Sequence, residues 1–193
     1  RRQFLKHLNC PKEKLENLFV SPTSGASMYK NRNGKWQEIY RYILNSREQK
    51  KIISAFQKAF RDIQYARPKK TYGKILENRE SQISFSALGQ KAPLAAKEKW
   101  RKESDVRLAL KRALEKYLPE FEVRLGGLTS IDVTKQGVDK AYGVWQLAKL
   151  LKVPIKEMMY VGDALYEGGN DAAVKKTGIS TLQIEELEET KFF

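Results

Sequence analysis

Residues 158–171, Met-Met-Tyr-Val-Gly-Asp-Ala-Leu-Tyr-Glu-Gly-Gly-Asn-Asp, constrain the fold more than any other stretch of the chain. The apolar run Met158–Val161 has the character of a short buried strand, and it stops at Gly162-Asp163. A glycine-rich loop follows and enters a helix through Asn170-Asp171, residue types that cap helices. Strand, loop and helix in that order form the unit of parallel α/β sheets, where ligands bind beyond the carboxyl ends of the strands. Carboxylates placed there, with glycines admitting close backbone approach, suit a hard cation such as Mg²⁺, which takes one or two carboxylates plus substrate phosphate. A loop with an Asn/Asp cap is the plainer reading of the same residues. A cap alone, however, leaves Asp163, eight residues earlier, without a purpose.

Composition narrows the chemistry. Of 193 residues 41% are hydrophobic, enough for a core, and no apolar stretch approaches membrane-spanning length. The first residues show no secretory pattern, and the single cysteine, Cys10, cannot form an internal disulfide; a reducing, cytoplasmic setting is expected. His7 is the only histidine, which excludes a His-based triad and a multi-His zinc site. The net charge of +14 raises the question of nucleic acid. The basic residues are scattered over amphipathic segments such as 47–61 and 97–116, with no zinc-ligand spacing and no RNP-like motif, which argues against that partner. Attraction of a small phosphorylated substrate, or a merely solvated basic surface, uses the charge equally well.

Along the chain, residues 1–10 read as the end of an amphipathic helix and Leu18–Ser21 as a buried strand. Ser27–Tyr29 and Trp36–Tyr40 flank Asn31-Arg32-Asn33-Gly34 and predict a hairpin. Ser46-Arg47-Glu48-Gln49 fits a capping box ahead of Ile52, Ile53, Phe56 and Phe60 at helical spacing. Ile75–Leu88 reads as one half-buried antiparallel strand, 97–116 as a charged amphipathic helix, and Glu122–Thr134 as a strand broken at Gly126-Gly127. Asp139 can cap a helix that ends before Pro154; strand 157–161, helix 171–177 closed by Gly178, and strand 179–184 follow. The expected architecture is an α/β core with a parallel sheet, built from 1–44 and 134–193, and an inserted α+β cap domain over 45–133. The three tryptophans, Trp36, Trp100 and Trp145, are expected to pack.

Gly162-Asp163 with Gly168-Gly169-Asn170-Asp171 resembles the last motif of the haloacid dehalogenase (HAD) superfamily, and its long spacer is similar to that of phosphomannomutases of the type IIB cap branch. Gly126-Gly127-Leu128-Thr129-Ser130-Ile131-Asp132-Val133 with Gly137-Val138-Asp139-Lys140 resembles a second stretch of that family, and Glu77-Asn78-Arg79 with Ser86-Ala87-Leu88-Gly89-Gln90 its cap strand. The resemblance implies a HAD-type Rossmann-like core and phosphoryl transfer through an aspartyl-phosphate, with Mg²⁺ as cofactor and a sugar phosphate as substrate. It implies that Asp163 is a direct metal ligand, that Asp171 holds a metal-bound water or orients the loop, and that Asn170 supports it. Lys140 would lie against the nucleophile and the phosphoryl group, although an exposed first-turn lysine is the plain alternative. Ser130 and Asp132, two apart on a strand, share a face that would bind substrate hydroxyls or simply meet solvent. Arg79, with Gln82 and Ser84 near it, would receive a second phosphate or sugar oxygens, or stand as an ordinary surface residue.

Two departures shape the expected activity. The mutases carry Arg at the position of Gln90, so the substitution leans toward a phosphatase rather than a phosphomutase. The superfamily's first motif, Asp-x-Asp-Gly-Thr after a buried strand, supplies the nucleophile and does not occur in the sequence. The core is therefore expected to be incomplete and the 193 residues alone inactive, with phosphatase activity belonging to the full-length protein. A non-catalytic ligand-binding HAD-like protein is the rival expectation.

Overall fold

The computed structural model describes residues 11–185 and residue 189. The helix expected over 1–10, with His7 and Cys10, lies outside them. In chain order the elements are α1 (Lys12–Leu15), β1 (Phe19–Val20), β2 (Ser27–Arg32), β3 (Lys35–Arg41), α2 (Ser46–Asp62), β4 (Leu76–Asn78), β5 (Gln82–Ser86), α3 (Leu94–Ser104), α4 (Arg107–Tyr117), β6 (Phe121–Leu125), β7 (Ser130–Lys135), α5 (Lys140–Leu151), β8 (Met159–Gly162) and β9 (Ser180–Gln183). Short 3₁₀ segments occupy Ile155–Glu157 and Ala172–Thr177. The chain divides into two compact units, one of Arg1–Tyr42 with Val138–Phe193, the other of Ile43–Gly137. Among the described residues no helix is long and apolar enough to cross a membrane.

In the first unit β1, β2 and β3 form an antiparallel sheet. Asn33 and Gly34, with φ of 51° and 75°, make the turn between β2 and β3. Both central positions need positive φ in the hairpin turn that matches strand twist, and Asn-Gly supplies it with little strain. β1 is half-buried rather than buried, because it pairs on one side only. β8 and β9 run parallel, Met159 opposite Ser180 through Gly162 opposite Gln183. Helix α5 begins at Asp139, whose carboxylate accepts the Tyr142 amide at 2.9 Å. It ends at Lys152 in the left-handed region (φ 55°), two residues before Pro154. Val144, Leu165, Val174 and Ile179 form the buried cluster behind β8, with Met158 and Tyr160 packed on it.

The second unit is a four-stranded antiparallel sheet in the order β4-β5-β7-β6, covered on one face by helices. Alternation along paired strands separates two faces. Phe85, Ile131 and Leu125 lie in one cross-strand row and Ile83, Val133 and Val123 in the next; both join the core with Ile52, Phe56 and Leu110. The opposite face carries the row Glu77, Ser84, Asp132 and Arg124. β5 is central and buried along its whole length, so its polar Gln82, Ser84 and Ser86 are buried too, where a half-buried strand was expected.

Further local expectations change. The cap of α2 is Asn45, which accepts from the Glu48 amide at 2.9 Å while Glu48 accepts from the Asn45 amide at 2.7 Å; the capping box starts one residue before Ser46. Ile75–Leu88 is two strands, because Glu80 (φ 64°) turns the chain and the Arg79 amide bonds Gln82 O at 2.8 Å. The helix expected over 97–116 breaks into α3 and α4 at Asp105, an extended residue whose carboxylate accepts both the Arg107 amide and guanidinium. Gly126-Gly127 closes the β6–β7 hairpin rather than interrupting one strand, with the Arg107 guanidinium donating to both carbonyls. Of the tryptophans, Trp100 is buried and Trp36 half-buried, but Trp145 is exposed on α5.

Candidate active site

The loop after β8 is held by its own backbone. The Asp171 amide donates to Ala164 O at 3.0 Å and the Gly169 amide to Tyr166 O at 2.9 Å, folding residues 164–171 back on themselves. A Cβ at Gly169 would lie 2.1 Å from Ala164 O, so the closure requires glycine. A Cβ at Gly162 would lie 2.8 Å from both Asp171 Oδ2 and Tyr160 Cε1. Glycine there makes room for the Asp171 side chain beside the strand.

Asp171 is the centre of this arrangement. Its side chain is 2% exposed and both oxygens are engaged. Oδ1 accepts from Lys140 Nζ and, at 2.6 Å, from the Tyr160 hydroxyl; Oδ2 accepts the Ala164 amide at 3.1 Å. Burial acts to raise its carboxyl, but the hydrogen bonds from Lys140 and Tyr160, the Lys140 charge and the Ala164 amide outweigh burial and hold it below the ordinary carboxylate value. Lys140 also donates to Asn170 Oδ1 at 3.3 Å. One residue earlier, buried Asp139 pairs with Lys176. The start of α5 is thus tied to 171–176 by two ion pairs of opposite polarity.

Asp163 differs from Asp171 in every respect that matters for a cation. It is exposed and makes no hydrogen bond or ion pair among the described residues, while its charge reaches the Tyr160 hydroxyl. Among the described residues no three His, Cys, Asp or Glu side chains converge. Mg²⁺ does not require such a cage, since it retains waters and takes one or two carboxylates. A carboxylate such as Asp163 and an amide oxygen such as that of Asn170 are donor types this ion takes, whereas both Asp171 oxygens are occupied by protein donors. Lys140 and Tyr160 also line a cavity of about 260 Å³ whose other walls include Phe19, Met28, Val144 and Leu147.

In the second unit Asp132 Oδ1 accepts from Ser84 Oγ at 2.7 Å, and Ser84 Oγ accepts from Gln82 Nε2 at 2.7 Å. Burial raises the Asp132 carboxyl, against lowering by Ser84, the Arg79 charge, Gln82 and Arg124. Ser130 lies on the same face of β7, two residues away, opposite Ser86. Arg79 is exposed and ion-paired to Glu77 at 3.2 Å. Gln90 stands apart in the loop after β5, half-buried, and its backbone carbonyl accepts from Lys97 at 3.3 Å. The structure therefore groups Ser130 with Asp132, brings Arg79 within electrostatic reach, and leaves Gln90 separate. Sequence reasoning passed over Tyr160, which reads as one more apolar strand residue, and Lys176, which reads as a surface lysine.

Residues 6–183 match the family described as eukaryotic phosphomannomutase. The chain belongs to that family. No individual curated sequence matches it. Among solved structures, N-terminally truncated IMP-nucleotidase of Plasmodium falciparum superposes with a TM-score of 0.61 at 18% identity, over 99% of this chain and 52% of that one. A HAD subclass IIB sugar phosphatase superposes with a TM-score of 0.52 at 16% identity, over 88% and 65%. Trehalose-6-phosphate phosphatase of Aspergillus fumigatus gives 0.50 at 16% identity, over 96% and 66%. The fold is thus the mixed α/β fold of HAD proteins with an α+β cap. The chain spans about half the length of the IMP-nucleotidase that it matches.

Proposed function

We propose that the protein containing these residues is a Mg²⁺-dependent phosphatase of sugar phosphates that works through an aspartyl-phosphate. The observation that carries the proposal is the cluster after β8, where Lys140 is held by Asp171 and Asn170, in a loop that also carries Asp163, exposed and without an ion pair among the described residues. Lys140 presents a fixed positive charge where a transferring phosphoryl group accumulates negative charge. Asp171, held by three donors, keeps the ammonium in place without reorganisation. Asp163 and Asn170 would hold Mg²⁺, which when bound neutralises phosphoryl oxygens. On the second unit, Asp132 and Ser130 offer acceptors suited to sugar hydroxyls, and Arg79 a planar cation suited to phosphate or sugar oxygens.

A phosphomutase is the second reading, favoured by the family match. Gln90 in place of the mutases' Arg favours the phosphatase, since an amide cannot pair ionically with a second phosphate. The deciding experiment is phosphate release from hexose 1- and 6-phosphates by the intact protein, with Mg²⁺ and with EDTA, while the sugar phosphate pool is followed by ³¹P NMR. Mg²⁺-dependent release abolished by Asp163→Ala supports the phosphatase. Interconversion of the two esters without release indicates the mutase. Undiminished Mg²⁺-dependent turnover by Asp163→Ala would refute the metal assignment.

A further inference from the structure

Tyr160 is half-buried on β8, its ring packed against the cluster of Val144, Leu165, Val174 and Ile179. It lines a cavity with apolar Phe19, Met28, Val144 and Leu147 and with polar Ser21, Ser24 and Lys140. A phenylalanine would fill that position with equal apolar contact. The hydroxyl is instead committed to Asp171 Oδ1, the oxygen that also receives Lys140. Two donors on one oxygen fix the carboxylate more tightly than either alone, and Gly162 leaves the space that lets both side chains lie side by side. Burial, then the hydrogen bond to Asp171 and the charges of Asp171 and Asp163, push the Tyr160 phenol well above its ordinary value, so it remains a donor at all moderate pH.

We propose that Tyr160 is a positioning residue for phosphoryl transfer, one that acts through Asp171 to hold the Lys140 ammonium at its working place. The proposal rests on the phosphatase reading for its kinetic consequence but not for its geometric one. The Lys140 side chain is 28% exposed and that of Asp171 2%, so the lysine borders solvent while its partner does not. The Tyr160 hydroxyl is a further donor that ties Asp171 to β8. Without the hydroxyl, Asp171 keeps Lys140 and the Ala164 amide but loses the rigid anchor between them.

The test is Tyr160→Phe in the intact protein, with two readouts. Steady-state kinetics should show kcat reduced about tenfold while KM changes less than about twofold, the pattern of an interaction felt chiefly in the transition state. Amide hydrogen exchange measured by NMR should show the Ala164 amide exchanging several-fold faster, with amides of α2 in the other unit unchanged. A variant with kcat and KM within twofold of the parent and unaltered Ala164 exchange overturns the proposal. A parent protein that hydrolyses no phosphate ester overturns the phosphatase reading instead, and the exchange readout then still decides whether Tyr160 anchors Asp171. Equal acceleration of exchange across both units would mark general destabilisation and also count against a positioning role.

Discussion

Replacing Lys140 by Met isolates the energetic value of the Asp171 centre. Removing one partner of a buried ion pair costs about 3–5 kcal/mol when the remaining charge is stranded. Here the lysine is 28% exposed and Asp171, at 2%, keeps the Tyr160 hydroxyl and the Ala164 amide, so about 2 kcal/mol is the reasonable expectation. For a chain of this size that corresponds to a fall in Tm of roughly 4–8 °C. The measurement is urea unfolding followed by tryptophan fluorescence and far-ultraviolet circular dichroism. A double-mutant cycle with Asp171→Asn sharpens it. If the two residues act as a unit, Asp171→Asn costs less in the Lys140→Met protein than in the parent, with a coupling energy of at least about 1 kcal/mol. Strict additivity, or an unchanged midpoint for Lys140→Met, would refute the account of Asp171 as a carboxylate sustained by its donors.

Two further outcomes follow from the same geometry. Gly169→Ala forces a methyl group to 2.1 Å from the Ala164 carbonyl oxygen, so a loss of at least about 2 kcal/mol should appear in urea unfolding, and a stable variant would contradict the loop closure. Asp132→Asn keeps an acceptor for Ser84 but removes a charge whose carboxyl burial holds above the ordinary value of 3.8. The folded state there binds its proton more tightly than the unfolded chain, so ionisation diminishes stability as pH rises through that window. The variant should therefore gain in Tm at pH 7, with the gain vanishing once pH falls below about 3.8; equal destabilisation at every pH would oppose this.

How much of this was legible in the residues depended on how local each cause is. The strand, glycine loop and Gly178 closure after Met158 were readable, because composition changes sharply at each boundary, but Met159 and Val161 are exposed where a buried strand was expected, and Ala172–Thr177 is 3₁₀ where an α-helix was expected. The Asn33-Gly34 hairpin and the Asp139 cap were readable for the same reason: one side chain decides the geometry. The turn at Glu80 was not, since nothing in Asn78-Arg79-Glu80-Ser81 demands a left-handed residue, and alternation continues across it. Asp105 likewise ends one helix and begins another through a contact to Arg107 that periodicity does not register. At the site, motif residues Lys140, Asn170 and Asp171 do converge, whereas Tyr160 escaped notice because its role depends on a residue 11 positions later. That partner reaches it only because Gly169 allows the loop to close on Ala164.

The crossed polarity at the head of α5 bears on how this protein can drift through mutation. Positions 139 and 140 carry opposite signs, and the residues they grip carry them in reverse order. The outer couple ends on a lysine bathed in solvent, and its buried aspartate keeps the Tyr142 amide whatever stands at position 176. The inner couple also has its acidic half sealed from water, so loss of Lys140 leaves a buried charge held only by the Tyr160 hydroxyl and the Ala164 amide unless position 171 changes in step. Sequences descended from this one should therefore vary more at 176 than at 140 and 171, which are held as an inherited pair.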